Sequence, residues 1–257
     1  MRFFDWVRSL LARSTLGTRI SADNTTGPDP NLRDPDDPAY QQTHDALQSY
    51  WEKVGQVDPI VISYIVNPMF LGSPPWPGGK QVFRIIRAAE SLIIASDGLS
   101  APFEEDKNIL QNGFQMEVFI EIKGQQAMEL DDIKSSAAFA LIEEAARQVA
   151  DWGGISELLD EFHLASSEIP VSSDAIPERF LTSDGRVGVI FGMVAEGRPK
   201  IVPNTPLSPV RMVPVTVLLP SEVQEAADGT EQRDRIAKRL IDAGYRHFSC
   251  FERDGVV

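Results

Sequence analysis

The chain has 257 residues, with 24 Lys+Arg against 38 Asp+Glu for a net charge of −14, and 42% of its residues are hydrophobic. That apolar content supports a folded core and excludes wholesale disorder. The single cysteine, Cys250, excludes an internal disulfide framework and any multi-cysteine metal or iron–sulfur site. The acid excess argues against nucleic acid as a direct ligand, which needs a basic face, and no stretch approaches the roughly 20 apolar residues that span a bilayer.

Taken in chain order, residues 1–13 carry Phe3, Phe4, Trp6, Val7, Leu10 and Leu11, interrupted by Asp5, Arg8 and Arg13. A secretory signal needs an uncharged apolar run, which these charges break. The spacing 3, 4, 7, 10, 11 is that of an amphipathic helix. We assign residues 1–14 to such a helix, packed on its own domain or a second copy, or laid on a membrane surface. Residues 15–38, with Gly17, Gly27, Pro28, Pro30, Pro35 and Pro38, predict a flexible linker that buries too little to order itself. The folded domain then runs over 39–257.

Within that domain, 39–54 places Tyr40, His44, Leu47, Tyr50 and Trp51 on one side and predicts a helix. The β-branched run 58–66 predicts a strand, and the prolines and glycines of 67–80 predict a loop. Strands are expected over 81–86 and 91–95. Residues 115–123 alternate, Met116, Val118, Ile120 and Ile122 against Glu117, Phe119 and Glu121, which predicts a half-buried strand. Residues 131–152 predict a long helix stopped by Gly153-Gly154, with a shorter one over 155–162. Strands follow over 187–194 and 210–219, and helices over 221–227 and 231–243. Strands cluster rather than alternating with helices, so the expected class is α+β, a mixed or antiparallel sheet flanked by helices. Charge is uneven. Residues 131–184 hold 12 acidic and 3 basic side chains, either a solvated face or a surface that steers a basic partner.

Residues able to do chemistry are few. The three histidines, His44, His163 and His247, form no His-Glu-x-x-His pair, and His247 with Cys250 supplies only half a zinc site. No Gly-x-Ser-x-Gly elbow is present. Pro77-Gly78-Gly79-Lys80 lacks the spacing of a phosphate-binding loop. Glu143-Glu144 and Asp160-Glu161 are neighbours on presumed helices and do not face one another. Ser96-Asp97-Gly98 follows a strand and reads first as a turn, because Gly tolerates positive φ. An enzyme, hydrolase-like in character, would need Ser96, Asp97 and His163 to meet in one cleft.

The strand Leu92-Ile93-Ile94-Ala95-Ser96 runs into Asp97-Gly98-Leu99-Ser100, and after a loop comes Gly113-Phe114-Gln115-Met116-Glu117-Val118-Phe119-Ile120. A long helix, the segment Phe162-His163-Leu164, and a strand over 212–219 running into Pro220-Ser221-Glu222-Val223 follow in order. This pattern, over residues 39–244, resembles the suppressor-of-fused domain, with its Gly-Leu-Ser strand end and Gly-Phe-x-x-Glu-aromatic strand. It departs from the animal pattern at Asp97, where an aromatic residue is expected, and in having no Asp directly after Ser100. The resemblance implies a non-catalytic, cytoplasmic protein-binding module without a cofactor or metal. The animal member grips an extended peptide that adds to its sheet edge, and bacterial members serve as immunity proteins that neutralise toxins. The partner implied here is a basic toxin domain. Only the motif positions carry over, and Asp97, Gly98, Leu99, Ser100, Glu117 and His163 are the expected partner-binding residues. The other readings are an enzyme with a site near Asp97 and His163, and a peripheral adaptor tethered to a membrane through 1–13.

Overall fold

The computed structural model describes residues 37–106, 109–172 and 174–257. The predicted amphipathic helix and nearly all of the predicted linker lie outside the described residues. The first helix, α1 (Pro38–Glu52), begins one residue earlier than its periodicity predicts. Asp37 accepts a hydrogen bond from the Ala39 N–H at 2.8 Å, and Pro38 sits in the first turn, where its missing N–H has no helical partner to lose.

The chain continues through β1 (Gln56–Val57), β2 (Ile62–Ser63), β3 (Val82–Arg87) and β4 (Ser91–Asp97). A separate hairpin of β5 (Pro102–Asp106) and β6 (Ile109–Asn112) precedes β7 (Met116–Lys123). Next come α2 (Leu130–Lys134), α3 (Ala137–Asp151), α4 (Ser156–Phe162), β8 (Ala165–Pro170), β9 (Arg186–Phe191), β10 (Ile201–Val202) and β11 (Val210–Leu218). The last helices are α5 (Pro220–Ala226) and α6 (Thr230–Asp242).

Nine strands form one sheet in the order β1-β3-β4-β7-β11-β9-β8, with β2 also on β3 and β10 on β11. Its pairs are antiparallel except β7 with β11, which run parallel. The fold is therefore α+β with a mixed sheet. Among the described residues no helix is long and apolar enough to cross a membrane.

Both faces of the sheet are covered. On one, Ile85, Leu92, Ile94, Val118, Ile120, Val189 and Val215 pack with Leu141, Ile142, Ala145 and Val149 of α3. On the other, Ile86, Ile93, Ala95 and Phe119 pack with Leu47, Tyr50 and Trp51 of α1, the Trp51 and Phe119 rings meeting edge to face at 5.6 Å. Further along this second face, Ile190 and Leu218 pack with Val223, Ile236 and Leu240 of α5 and α6.

This second cover corrects one expectation from the sequence. Strand β7 is not half-buried: Glu117, Phe119 and Glu121 are as inaccessible as Met116, Val118 and Ile120. Three further differences are local. The predicted 58–66 strand pairs only over Ile62–Ser63, at one end of β3, while β1 takes Ile86 and Arg87 at the other end. The predicted 131–152 helix is two helices, because the Ser136 hydroxyl accepts from the Phe139 N–H at 3.1 Å and starts a new one. On α1, the buried stripe includes Thr43 and Ala46, while His44 faces solvent.

Candidate functional site

The two halves of the sequence motif meet in space. Strand β4 ends at Asp97, and the chain turns through Gly98-Leu99-Ser100 beside the start of β7. The turn needs glycine. Gly98 has φ +139°, and a Cβ there would lie 2.7 Å from the Lys80 carbonyl oxygen. From the other half, Gly113 has φ +47°, and a Cβ would lie 2.2 Å from the Leu99 carbonyl oxygen. The Phe114 N–H donates to that same oxygen at 2.8 Å.

Glu117 closes the assembly. Its Oε1 accepts from the Gly98 N–H at 3.1 Å, the Ser100 N–H at 2.8 Å and the Ser100 hydroxyl at 2.6 Å. Its Oε2 accepts from the Ser96 hydroxyl at 2.5 Å. The Ser96 oxygen in turn accepts the Val118 N–H at 2.9 Å. Glu117, Leu99 and Ser100 have no solvent exposure. Burial, and then the charge of nearby Asp97, push the Glu117 carboxyl above its ordinary range, against the lowering effect of its serine donors. All four donors are neutral, so nothing in this cluster offsets the charge directly.

Asp97 is engaged in an ion pair. Arg84 on β3 donates from Nε to the Asp97 carboxylate at 2.7 Å and from Nη1 to the Gln48 side chain of α1 at 2.5 Å. A shallow cleft of about 10 Å³ lies above, lined by Tyr40, Thr43, His44, Leu47, Asp97, Gly98, Ala101 and Pro102. It has room for about one water molecule. Asn112, behind Thr43, ties three segments together. Its side-chain amide donates to the Thr43 hydroxyl at 2.7 Å and to the Ser100 carbonyl at 3.3 Å, and its oxygen accepts from the Leu207 and Ser208 N–H groups, each at 3.0 Å.

His163 does not join this assembly. It is an exposed residue with φ +62°, ending α4 just before β8. Strand β8 is four strand positions from β4 in the sheet. The Ser96–Asp97–His163 constellation that an enzyme reading requires is therefore not assembled, and Ser96 is committed to Glu117.

A second buried carboxylate lies four residues along the same face of β7. Glu121 accepts from the Ser91 hydroxyl at 2.5 Å and from Arg198 Nη2 at 2.6 Å, and its Oε2 lies 2.9 Å from His247 Nε2. Burial alone would raise its pKa, but His247, Arg198 and Ser91 together hold it below the ordinary carboxylate range. His247 is thus a hydrogen-bond partner of Glu121 rather than half of a site with Cys250. Among the described residues no three of His, Cys, Asp and Glu gather as a metal site would require. Sequence reasoning missed Glu121, Arg84 and Asn112. For Glu121 a signal was present: Phe119, large and apolar, shares its face, and a solvated face would not place it there.

The larger cleft, about 380 Å³, lies between α1 and the 197–203 segment and is lined by Tyr50, Lys53, Val54, Gly197, Pro199, Ile201 and Pro203. The Tyr50 hydroxyl there donates to the Pro199 carbonyl at 2.8 Å. Lys53 is the cleft's one charged side chain, and no acid–base pair faces it. No family model, no curated protein and no solved structure matches this chain.

Proposed function

We propose that this chain is a non-catalytic protein-binding module of the suppressor-of-fused kind, acting as an immunity protein that neutralises a basic toxin partner. The joining of Gly98-Leu99-Ser100 to Gly113-Phe114 and Glu117 supports the family resemblance, because it gives both half-motifs one structural purpose. In this reading Glu117, Leu99 and Ser100 brace the sheet from inside, and the partner meets the surface.

The observation that carries the reading is where the acid excess sits. Asp131, Asp132, Asp151, Glu157, Asp160 and Glu161 are all exposed. The nearby basic side chains are few and already engaged: Arg211 pairs with Asp160, and Lys134 lies 3.3 Å from Asp131. Exposed acid in excess of its cationic partners attracts a basic surface and raises its on-rate, with a strong salt dependence. A toxin that acts on nucleic acid needs the complementary basic surface to hold phosphate.

The test is a pull-down from lysate of the source cell, at low and at high salt, with wild-type protein and with the variant Asp151→Lys/Glu157→Lys/Glu161→Lys. The reading predicts a stoichiometric basic partner that is retained by wild type at low salt, released at high salt and lost in the variant. A partner held equally by the variant, or none at either salt, would sink it.

A further inference from the structure

Exposed large apolar side chains are concentrated in one short stretch. Ile60, Val61, Ile65, Val66, Phe70 and Leu71 are six of the ten among the described residues. Ile65 is wholly exposed, and Phe70 and Leu71 are 75% and 78% exposed. The backbone that carries them is fixed. Ile62 and Ser63 pair with Phe83 and Val82 of β3, and the Tyr64 hydroxyl donates to Glu143. Asn67 caps the following 3-10 turn, accepting from the Met69 N–H at 3.1 Å, and its amide donates to the Gly79 carbonyl. Among the described residues β2 pairs only with β3, which leaves its outer edge open. These side chains flank the open edge of β2 and form a contiguous apolar stretch of the kind that marks a contact surface.

We propose that the occupant is the chain's own N-terminal segment, residues 1–13, whose apolar residues cover this edge. Three observations select it. The first is chemical: the helical spacing of Phe3, Phe4, Val7, Leu10 and Leu11 supplies one apolar stripe, in a chain that has no other apolar segment outside the described domain. The second is reach. Residues 14–36 can extend over roughly 75 Å. The described chain starts close to the surface in question: Tyr40 lines the cleft at Asp97, and Asp97, Val82 and Ser63 are successive partners across three strands, a span of about 10 Å. The third is charge. The segment carries Arg2, Arg8 and Arg13 against Asp5, and Glu143, which accepts from the Tyr64 hydroxyl, lies beside this stretch and shares Arg147 with Glu144. An anionic lipid surface, the other apolar and charged occupant of this kind, is disfavoured by the net charge of −14.

Tethering places the segment at a local concentration on the order of 1 mM. An affinity of about 100 µM then protects the edge about tenfold. Hydrogen–deuterium exchange of the full chain, read by mass spectrometry, tests this in both directions. Amides over 60–71 should exchange about tenfold more slowly in wild type than in Phe4→Asp/Leu10→Asp/Leu11→Asp. Reciprocally, Ile65→Asp/Phe70→Asp should speed exchange over 1–13. Both variants change positions exposed on or outside the domain, so protection of the β4 and β7 amides should be unmoved. Protection that survives dilution supports an occupant from the same chain. Equal exchange in wild type and variant overturns the proposal. So does protection that disappears on dilution with loss of a dimer, which assigns the edge to a second copy, and so does protection that appears only when anionic vesicles are added. The measurement uses the isolated chain, so its outcome is independent of whether a toxin partner is found.

Discussion

Glu117 and Glu121 stand on the same face of the same strand, on either side of Phe119, and both are buried, yet their carboxyls are displaced in opposite directions. The difference is in what surrounds them. Glu117 is held by two hydroxyls and two backbone N–H groups, with Asp97 as its nearest charge. Glu121 is held by Arg198 and His247 besides Ser91. Neutral donors satisfy hydrogen-bonding capacity but do not offset the cost of burying charge, whereas a cation does both. The two ends of one strand are therefore braced by different physics: a hydrogen-bonded turn at the Gly98 end and an ion-pair cluster at the other.

Truncation should break the comparison most visibly. Glu121→Ala strands Arg198 beside a buried His247 and should cost about 3–5 kcal/mol in denaturant unfolding. Glu117→Ala leaves four donors without an acceptor but no uncompensated cation, and should cost about 2–4 kcal/mol. Amide replacement sharpens the contrast. Glu121→Gln removes the charge that Arg198 needs, for about 2 kcal/mol. Glu117→Gln keeps the acceptor for Gly98 and Ser100, and Ser96 has only to turn its hydroxyl to accept. Its cost should stay below about 1 kcal/mol.

The pH profiles should diverge. A carboxyl raised above its usual 4.5 on folding contributes stability below that value and loses it as pH rises through the raised value. Glu117→Gln removes that loss, so its stability relative to wild type should improve as pH climbs above 4.5. A lowered carboxyl contributes stability above 4.5 that disappears as pH falls through the lowered value. Glu121→Gln should therefore lose ground to wild type as pH rises from the lowered value up to 4.5, below the range where Glu117→Gln gains it. Unfolding curves of the three proteins from acid to neutral pH check both signs. The smallest effect is at one remove: Asp97→Asn should move the Glu117 titration, followed by carboxyl carbon NMR, down toward its ordinary range.

How much of this was legible in the sequence follows from which signals are local. The helix starting at Pro38, strands β3, β4, β7, β9 and β11, and the last two helices each carry their own periodicity or caps and stand within a few residues of their predicted bounds. Strand β8, Ala-Ser-Ser-Glu-Ile-Pro, has no apolar run and exists because β9 pairs with it over its whole length. The run 58–66 is as rich in β-branched residues as β11 yet pairs over only two residues, because pairing depends on a neighbour that its own sequence cannot supply. The site divides in the same way. Gly98 was visible as a turn residue and Gly113 as a member of the same motif, but that Glu117 bonds back to the turn is a cross-strand fact. The distance of His163 from that turn follows from strand order, which composition does not encode.

If the Gly98–Glu117 motif is an internal brace and the partner meets the acidic surface, one measurement separates the two most directly. Glu117→Gln should be run beside Asp151→Lys/Glu157→Lys/Glu161→Lys in the same low-salt pull-down, after both are shown to be folded. Retention of the partner by Glu117→Gln and its loss from the charge-reversed surface is the expected result. Loss of the partner from a folded Glu117→Gln, with retention by the charge-reversed protein, would contradict it and make the motif itself the binding site.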